Sequence, residues 1–217
     1  MTSTDARPGF AELIKDVTSD AHRRAERTSI IGALADGKLP VEGYTAMIAQ
    51  HYFFYEALER AAEVMRADPV AGVFVHDELT RLPALAKDLT ALAGPDWRDR
   101  ITPGEATLRY CARIHEVCFE WAGGFVAHHY TRYLGDLSGG QILRALLNRH
   151  LGLTEETGLS FYVFPGIPKT PVFKARYRQL LDDAPWDAAE QRRIAEESRL
   201  AFELNTAIFE ELGARFC

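Results

Sequence analysis

The chain has 217 residues, 47% of them hydrophobic and 26% charged, with a formal net charge of −6. This is enough chain for a sizeable core and the balance of a folded globular protein, so disorder is not the default. The acidic balance argues against a broad nucleic-acid face, which needs clustered Lys and Arg, and it requires any anionic ligand to meet a local basic cluster.

The opening from Met1 to Phe10 is polar and carries Pro8 and Gly9, without the pattern of a secretory signal. No apolar run approaches the roughly 20 residues that span a bilayer. A cytoplasmic protein without a membrane anchor is therefore expected. The spacing of Phe10, Leu13, Ile14 and Val17 predicts a first helix over Phe10 to Thr28. Farther along the same face come the small residues Ala21 and Ala25 with His22 between them, leaving room for a plate-shaped ligand to reach the imidazole. Lys15 lies seven residues before His22, about 10.5 Å along a helix axis, and Glu26 lies four after it. A carboxylate at that spacing can hold the ring nitrogen opposite a metal, although a surface pair with Arg23 or Arg27 is an alternative. A lone histidine is also an ordinary packed or solvent-facing residue.

Gly32 to Pro40 reads as turn chemistry, Val41 to Ala67 as a long helix rich in aromatics, and Glu78 to Ala93 as a further helix closed by Gly94-Pro95. A helix over Glu105 to Trp121 is broken at Gly123-Gly124. Cys111 and Cys118 stand seven apart, which is no zinc spacing, so packed, reduced thiols are expected. Helical periodicity then covers Trp121 to Tyr133 and Ile142 to His150, and between them Gly135, Gly139 and Gly140 interrupt it. In a helix interior each glycine costs roughly 0.8–1 kcal/mol against Ala, which calls for a reason. Gly135 and Gly139, four apart, would form a groove free of side chains, beside Arg132, Asp136 and Ser138. Close approach of another helix, or one helix ending and another beginning, explains the glycines alone equally well. Asp136 in an apolar context adds a need for a partner or a task.

Thr154 to Thr170, with Pro165, Gly166 and Pro168 and followed by Pro171, is a long ordered loop or turn, and Val172 to Asp182 and Asp187 to Leu212 are closing helices. No alternating run is long enough for a strand, so the fold class is all-α, a single multi-helix domain over residues 1–217. Di-iron bundles need Glu-x-x-His, and none of the seven histidines has a Glu three before it. His-Glu-x-x-His, a Gly-x-x-x-x-Gly-Lys phosphate loop and a Gly-x-Ser-x-Gly elbow are absent as well. Haem needs only one axial imidazole, apolar walls and cations for its propionates. His22 with Lys15 offers the first. Lys174 and Arg178 share a face in the closing segment, and Phe202, Asn205 and Phe209 share one in the last helix.

Tyr130-Thr131-Arg132-Tyr133-Leu134-Gly135-Asp136-Leu137-Ser138-Gly139-Gly140-Gln141 closely resembles the signature of the haem oxygenase family. The resemblance runs from the His22-x-x-x-Glu26 helix through Tyr55-Glu56-Ala57-Leu58-Glu59 to Phe202-Glu203-Leu204-Asn205 and Phe209-Glu210-Glu211-Leu212. It implies a soluble, bacterial-type enzyme with haem sandwiched between a proximal and a glycine-kinked distal helix. Haem b is then both substrate and cofactor, cleaved to biliverdin, iron and carbon monoxide with dioxygen and electrons from NAD(P)H through a reductase or ferredoxin. By the same resemblance His22 is the axial iron ligand, Glu26 its acidic partner, and Lys15, Lys174 and Arg178 face the propionates. Gly135 and Gly139 put backbone against the haem, and Asp136 organises water near bound oxygen. Tyr55, Tyr130, Arg132 and Asn205 match further pocket or water-network positions, and Ser138, Gly140, Phe202 and Phe209 complete the cofactor-binding set.

The implied partners are haem, dioxygen and a redox protein, with no nucleic acid, no membrane and a monomeric state. Arg23, Arg24 and Arg27 offer that redox protein a docking patch, or are merely a solvated face. Two other readings stand beside the enzyme: a haem carrier or sensor without turnover, and a fold relative acting on a thiamine-like molecule. The implied physiological purpose is release of iron from haem.

Overall fold

A computed structural model describes residues 9–217, so the polar opening that carries the expectation about secretion lies almost wholly outside the described residues. The described chain is all-α. Its helices are α1 (Phe10–Glu26), α2 (Ser29–Ala35), α3 (Val41–Met65), α4 (Leu82–Ala93), α5 (Glu105–Val117), α6 (Ala122–Asp136), α7 (Gly139–Leu151), α8 (Thr170–Asp183) and α9 (Ala188–Phe216), with short 3-10 turns between. Among these residues no helix is long and apolar enough to cross a membrane.

The long α9 is the spine, lying against α1, α2, α3, α5 and α6. Its start is fixed by Asp187, whose carboxylate accepts from the backbone N–H of Ala189 and Glu190, a cap worth about 1 kcal/mol. Phe10, Ile14, Thr18, Ala21 and Ala25 are the buried stripe of α1. Ala21 and Ala25 let that helix close on α9, and only Ala25 also reaches the cleft described below, so the small residues serve packing as well as space.

Several helix starts borrow distant side chains. Asp182 of α8 accepts from the Ala11 N–H at 2.8 Å, and Glu211 of α9 accepts from the Ala106 N–H at 2.7 Å. These bonds satisfy orphan donors that the local sequence leaves open.

Three expectations about elements need correction. Residues 29–35 form α2 although Gly32 lies inside it, because Ile30 and Leu34, four apart, are buried. The helix before α6 ends at Val117, and Gly123-Gly124 sits inside the first turn of α6 instead of breaking the chain. A methyl group on Gly124 would come 2.5 Å from the Trp121 ring, and one on Gly123 would come 2.6 Å from Ile194, so these glycines permit packing. Finally, the helix preceding Gly94 begins at Leu82, after a separate 3-10 turn at Asp77–Leu79.

The segment from Thr154 to Lys169 holds no α-helix, only a π turn at Glu155–Leu159 and a 3-10 turn at Ser160–Tyr162, and is held from outside. Asp88 accepts from the Ser160 and Phe161 N–H groups at 2.8 and 2.7 Å. Tyr44 donates to the Gly158 carbonyl, and the buried Arg81 donates to the carbonyls of Phe161 and Val163. This fixes Phe161 and Tyr162 against α3 and α7. The three cysteines are unpaired thiols, with Cys118 buried and Cys111 half-buried.

Candidate active site

A cleft opens between α1 on one side and the α6–α7 junction on the other. Its outer part, about 330 Å³, is lined by Lys15, Thr18, Tyr130, Ser138 and Arg178, among others. Its inner part, about 280 Å³, is lined by Ala25, Met47, Arg132, Asp136, Gly139 and Phe209, among others. His22, Thr131, Gly135 and Phe202 line both, so the two are one continuous space.

His22 projects from the last turns of α1 with its side chain 49% exposed, edge-on to the Phe202 ring at 5.5 Å. Glu26 comes to 3.6 Å from its Nδ1, longer than a hydrogen bond, and is 63% exposed. At that exposure the pair contributes little to stability. No other side chain engages the ring among the described residues, which leaves it free to ligate. Nor do three His, Cys, Asp or Glu side chains converge there on a common metal position.

The opposite wall is interrupted at Leu137–Ser138, where the glycine-rich stretch passes from α6 to α7. Helix α6 ends at Asp136, Ser138 has φ −114° and ψ −85°, and α7 starts at Gly139. Gly135 and Gly139 therefore belong to different helices, yet a Cβ built on either meets nothing within 4 Å. Close helix approach does not explain them; both face open cleft. Gly140 differs, since a methyl group there would come 3.2 Å from the Tyr162 ring, so its bareness also seats α7 on the loop.

Asp136 closes the inner end. It is 7% exposed and accepts hydrogen bonds from the Tyr55 hydroxyl and, at 3.4 Å, from Arg132 Nη2. Arg132 Nη1 donates to Asn205 Oδ1 at 2.6 Å, and the guanidinium lies over the Phe54 ring at 4.7 Å. Burial pushes the Asp136 carboxyl above the usual carboxylate range, against the pull of Arg132 and the Tyr55 hydrogen bond. Burial likewise pushes the Tyr55 phenol up, which keeps it a neutral donor. The result is a carboxyl group fixed in place beside the open cleft.

Of the basic positions, Lys15 and Arg178 line the outer cleft, whereas Lys174 lies off it and donates to Ser138 Oγ at 2.9 Å. Ser138 in turn donates to the Leu134 carbonyl at 2.7 Å. Tyr55 lies behind Asp136 instead of on the cleft surface. Tyr130, Phe202, Asn205 and Phe209 all stand on the lining. Arg23 pairs with Asp20, and Arg24 lies 3.6 Å from Glu203, so two of the three surface arginines already have acidic neighbours.

Sequence reasoning missed Met47, His51, Leu143, Phe161 and Tyr162 on the inner wall. His51 was within reach of it, being one helical turn before Tyr55. It also missed Glu59, which accepts from the Arg81 and Leu82 N–H groups and from the Tyr133 hydroxyl behind the site.

One exposed imidazole, apolar walls, a bare backbone face and cations at the mouth define a class of protein: an all-α fold with a cleft suited in shape and charge to a flat, anionic ligand. Haem fits this donor set, with a single ring nitrogen on one side and open space over Gly135 and Gly139 on the other. The model of the Heme oxygenase family matches residues 8–211. A heme oxygenase of Takifugu rubripes is 37% identical over 210 residues, covering 96% of this chain and 76% of that one. The crystal structure of heme oxygenase-1 from the cyanobacterium Synechocystis, in complex with heme, superposes with a TM-score of 0.92 at 32% identity over 96% of this chain and 94% of that one. Heme oxygenase from Leptospira interrogans superposes with a TM-score of 0.89 at 36% identity, over 94% of this chain and all of that one. The chain belongs to the haem oxygenase family.

Proposed function

We propose that residues 1–217 act as one catalytic domain that cleaves haem b to biliverdin, iron and carbon monoxide. Dioxygen and electrons passed from NAD(P)H by a reductase or ferredoxin drive the reaction. The observation that carries this reading is the pair Gly135 and Gly139, bare toward open space and directly beside the buried Asp136. When bound, haem supplies the iron at which dioxygen is reduced and the porphyrin edge that is oxidised.

The chain's own residues do the rest. His22 would hold the iron through its ring nitrogen, with Glu26 as a loose neighbour. Lys15 and Arg178 meet the propionates at the mouth, and Lys174 acts indirectly by fixing Ser138 at the break. Phe202 and Phe209 pack against the flat faces. Gly135 and Gly139 keep this side of the cleft free of side chains, leaving room that a bound haem and dioxygen would need. Asp136 holds a water and its proton there, and Tyr55, Arg132 and Asn205 keep that carboxyl from turning away. A carrier has no need of a buried, tethered carboxyl beside a bare wall. The setting proposed is the cytoplasm, with a monomeric enzyme releasing iron from haem for reuse.

Purified protein given one equivalent of haem, a reductant and oxygen is expected to develop the biliverdin spectrum. Asp136→Ala should still bind haem but lose ring opening by about 100-fold or more, the typical worth of a positioned proton donor. Biliverdin formation by Asp136→Ala at the wild-type rate would overturn the assignment.

A further inference from the structure

His51 takes no part in the chemistry above, yet it lines the inner cleft together with Asp136, Arg132 and Asn205. Its imidazole is 4% exposed. It lies nearly parallel to the Tyr55 ring at 6.4 Å and edge-on to Phe161 at 5.4 Å. Nδ1 stands 2.6 Å from the Met47 carbonyl oxygen, one turn earlier on α3. A carbonyl only accepts, so Nδ1 carries the ring proton and Nε2 keeps its lone pair. Burial and the nearby Arg132 charge hold the imidazole down to about 3, so the ring is neutral throughout the physiological range.

Nε2 receives no hydrogen bond from the described residues. His51 lines the inner cleft with Met47, Leu143 and Phe161, and its Nε2 is not among the fully buried unpaired atoms, so a donor from outside the protein can reach it. The rim of a porphyrin carries methyl, vinyl and methine groups and no N–H or O–H to donate. A water does, and it can donate to Nε2 while remaining in reach of the polar end of the cleft.

We propose that His51 is a positioning residue of this cleft, its Nε2 anchoring a water in the inner corner that braces the water held by Asp136. The proposal rests on the haem-cleaving reading above. It adds a second fixed acceptor, so that the proton-carrying water has one partner on α6 and another, through a neighbouring water, on α3. Orientation comes from two directions instead of one.

Wild type, His51→Leu and His51→Gln separate the possibilities. Leucine fills the volume without an acceptor, while the amide oxygen of glutamine reaches the Nε2 position. All three should bind haem with the same affinity and the same ferric spectrum. Biliverdin formed per electron consumed is expected to fall roughly fivefold in His51→Leu, the net worth of about one hydrogen bond, and to recover in His51→Gln. Independently of turnover, the imidazole nitrogen resonances of wild type should show Nδ1 protonated and Nε2 as a hydrogen-bonded acceptor. Full coupling in His51→Leu, no recovery in His51→Gln, or an Nε2 resonance without a hydrogen bond would each overturn the proposal. If His51→Leu does not fold, the glutamine variant and the nitrogen resonances still decide. Failure of wild type to make biliverdin would instead sink the functional reading, and the Nε2 resonance would then judge the water by itself.

Discussion

A carboxyl group as buried as Asp136 persists because two groups donate to it: a phenol on α3 and a guanidinium one turn earlier on its own helix. Arg132 is held in turn by Asn205 of α9, so three helices meet at one carboxyl. On the opposite wall His22 is almost without restraint, which suits a ligand that must meet a metal it does not itself position. Replacing it makes the sharpest residue-scale prediction. His22→Ala should abolish the wild-type ferric haem spectrum, read by titrating haem into the purified variant. Retention of that spectrum would move the axial ligand elsewhere, but the alternatives are poorly placed. His128 is engaged by Glu197 and His129 by Tyr177, both fully buried, while His51 bonds Met47. His22 and Asp136 were legible in the sequence because their contexts are local: an imidazole between small residues, a carboxylate between glycines. Arg81 and Asp88 were not, because they act on partners more than 70 residues away.

At the scale of elements, the glycines divide into two kinds that composition cannot tell apart. Gly124 is needed by its own neighbours, since a methyl group there would lie 2.7 Å from the Val117 carbonyl. Gly135 is not, because nothing stands within 4 Å. Gly135→Ala should therefore raise the melting temperature of the ligand-free protein, gaining up to about 1 kcal/mol of helix propensity, while weakening haem binding. Gly124→Ala should lower the melting temperature by a cost of about 1–3 kcal/mol. Thermal melts and haem titrations of the two variants check this, and Gly135→Ala binding haem as tightly as wild type would contradict it. Long amphipathic helices were readable from periodicity, but α2 was hidden by Gly32 and by its length of only seven residues. The loop ahead of α8 was readable as a loop, but not as part of the cleft, because the groups that seat Phe161 and Tyr162 come from α3 and α4.

The whole molecule carries three fully buried histidines on α3 and α6, and their ionisation sets its response to acid. Burial lowers all three, His51 and His129 to about 3 each, against an ordinary value near 6.5. The unfolded chain thus takes up protons below pH 6.5 that the fold refuses. Stability present above pH 6.5 should be lost as pH falls toward 3, at about 1.4 kcal/mol per pH unit for each of His51 and His129, with His128 acting in the same direction. Glu197, held down to about 2 by His128 and Arg113 in spite of its burial, adds a loss in the same direction below its ordinary value near 4.5. Melting temperatures should hold from pH 7.5 to about 6.5 and fall from there to pH 5, and His129→Gln should make that fall shallower. A flat profile would show that these rings titrate normally. The all-α class was plain from periodicity alone, whereas the central role of α9 depends on contacts that no local pattern records. The distal wall has a consequence for variation as well. Because it is made by leaving side chains out, every replacement at Gly135 or Gly139 can only add atoms, so this wall offers no graded adjustment. A lineage or a designer seeking a tighter grip or a different flat molecule has freedom instead in the side chains that line the rest of the cleft, on α1, α3, α7, α9 and the loop ahead of α8.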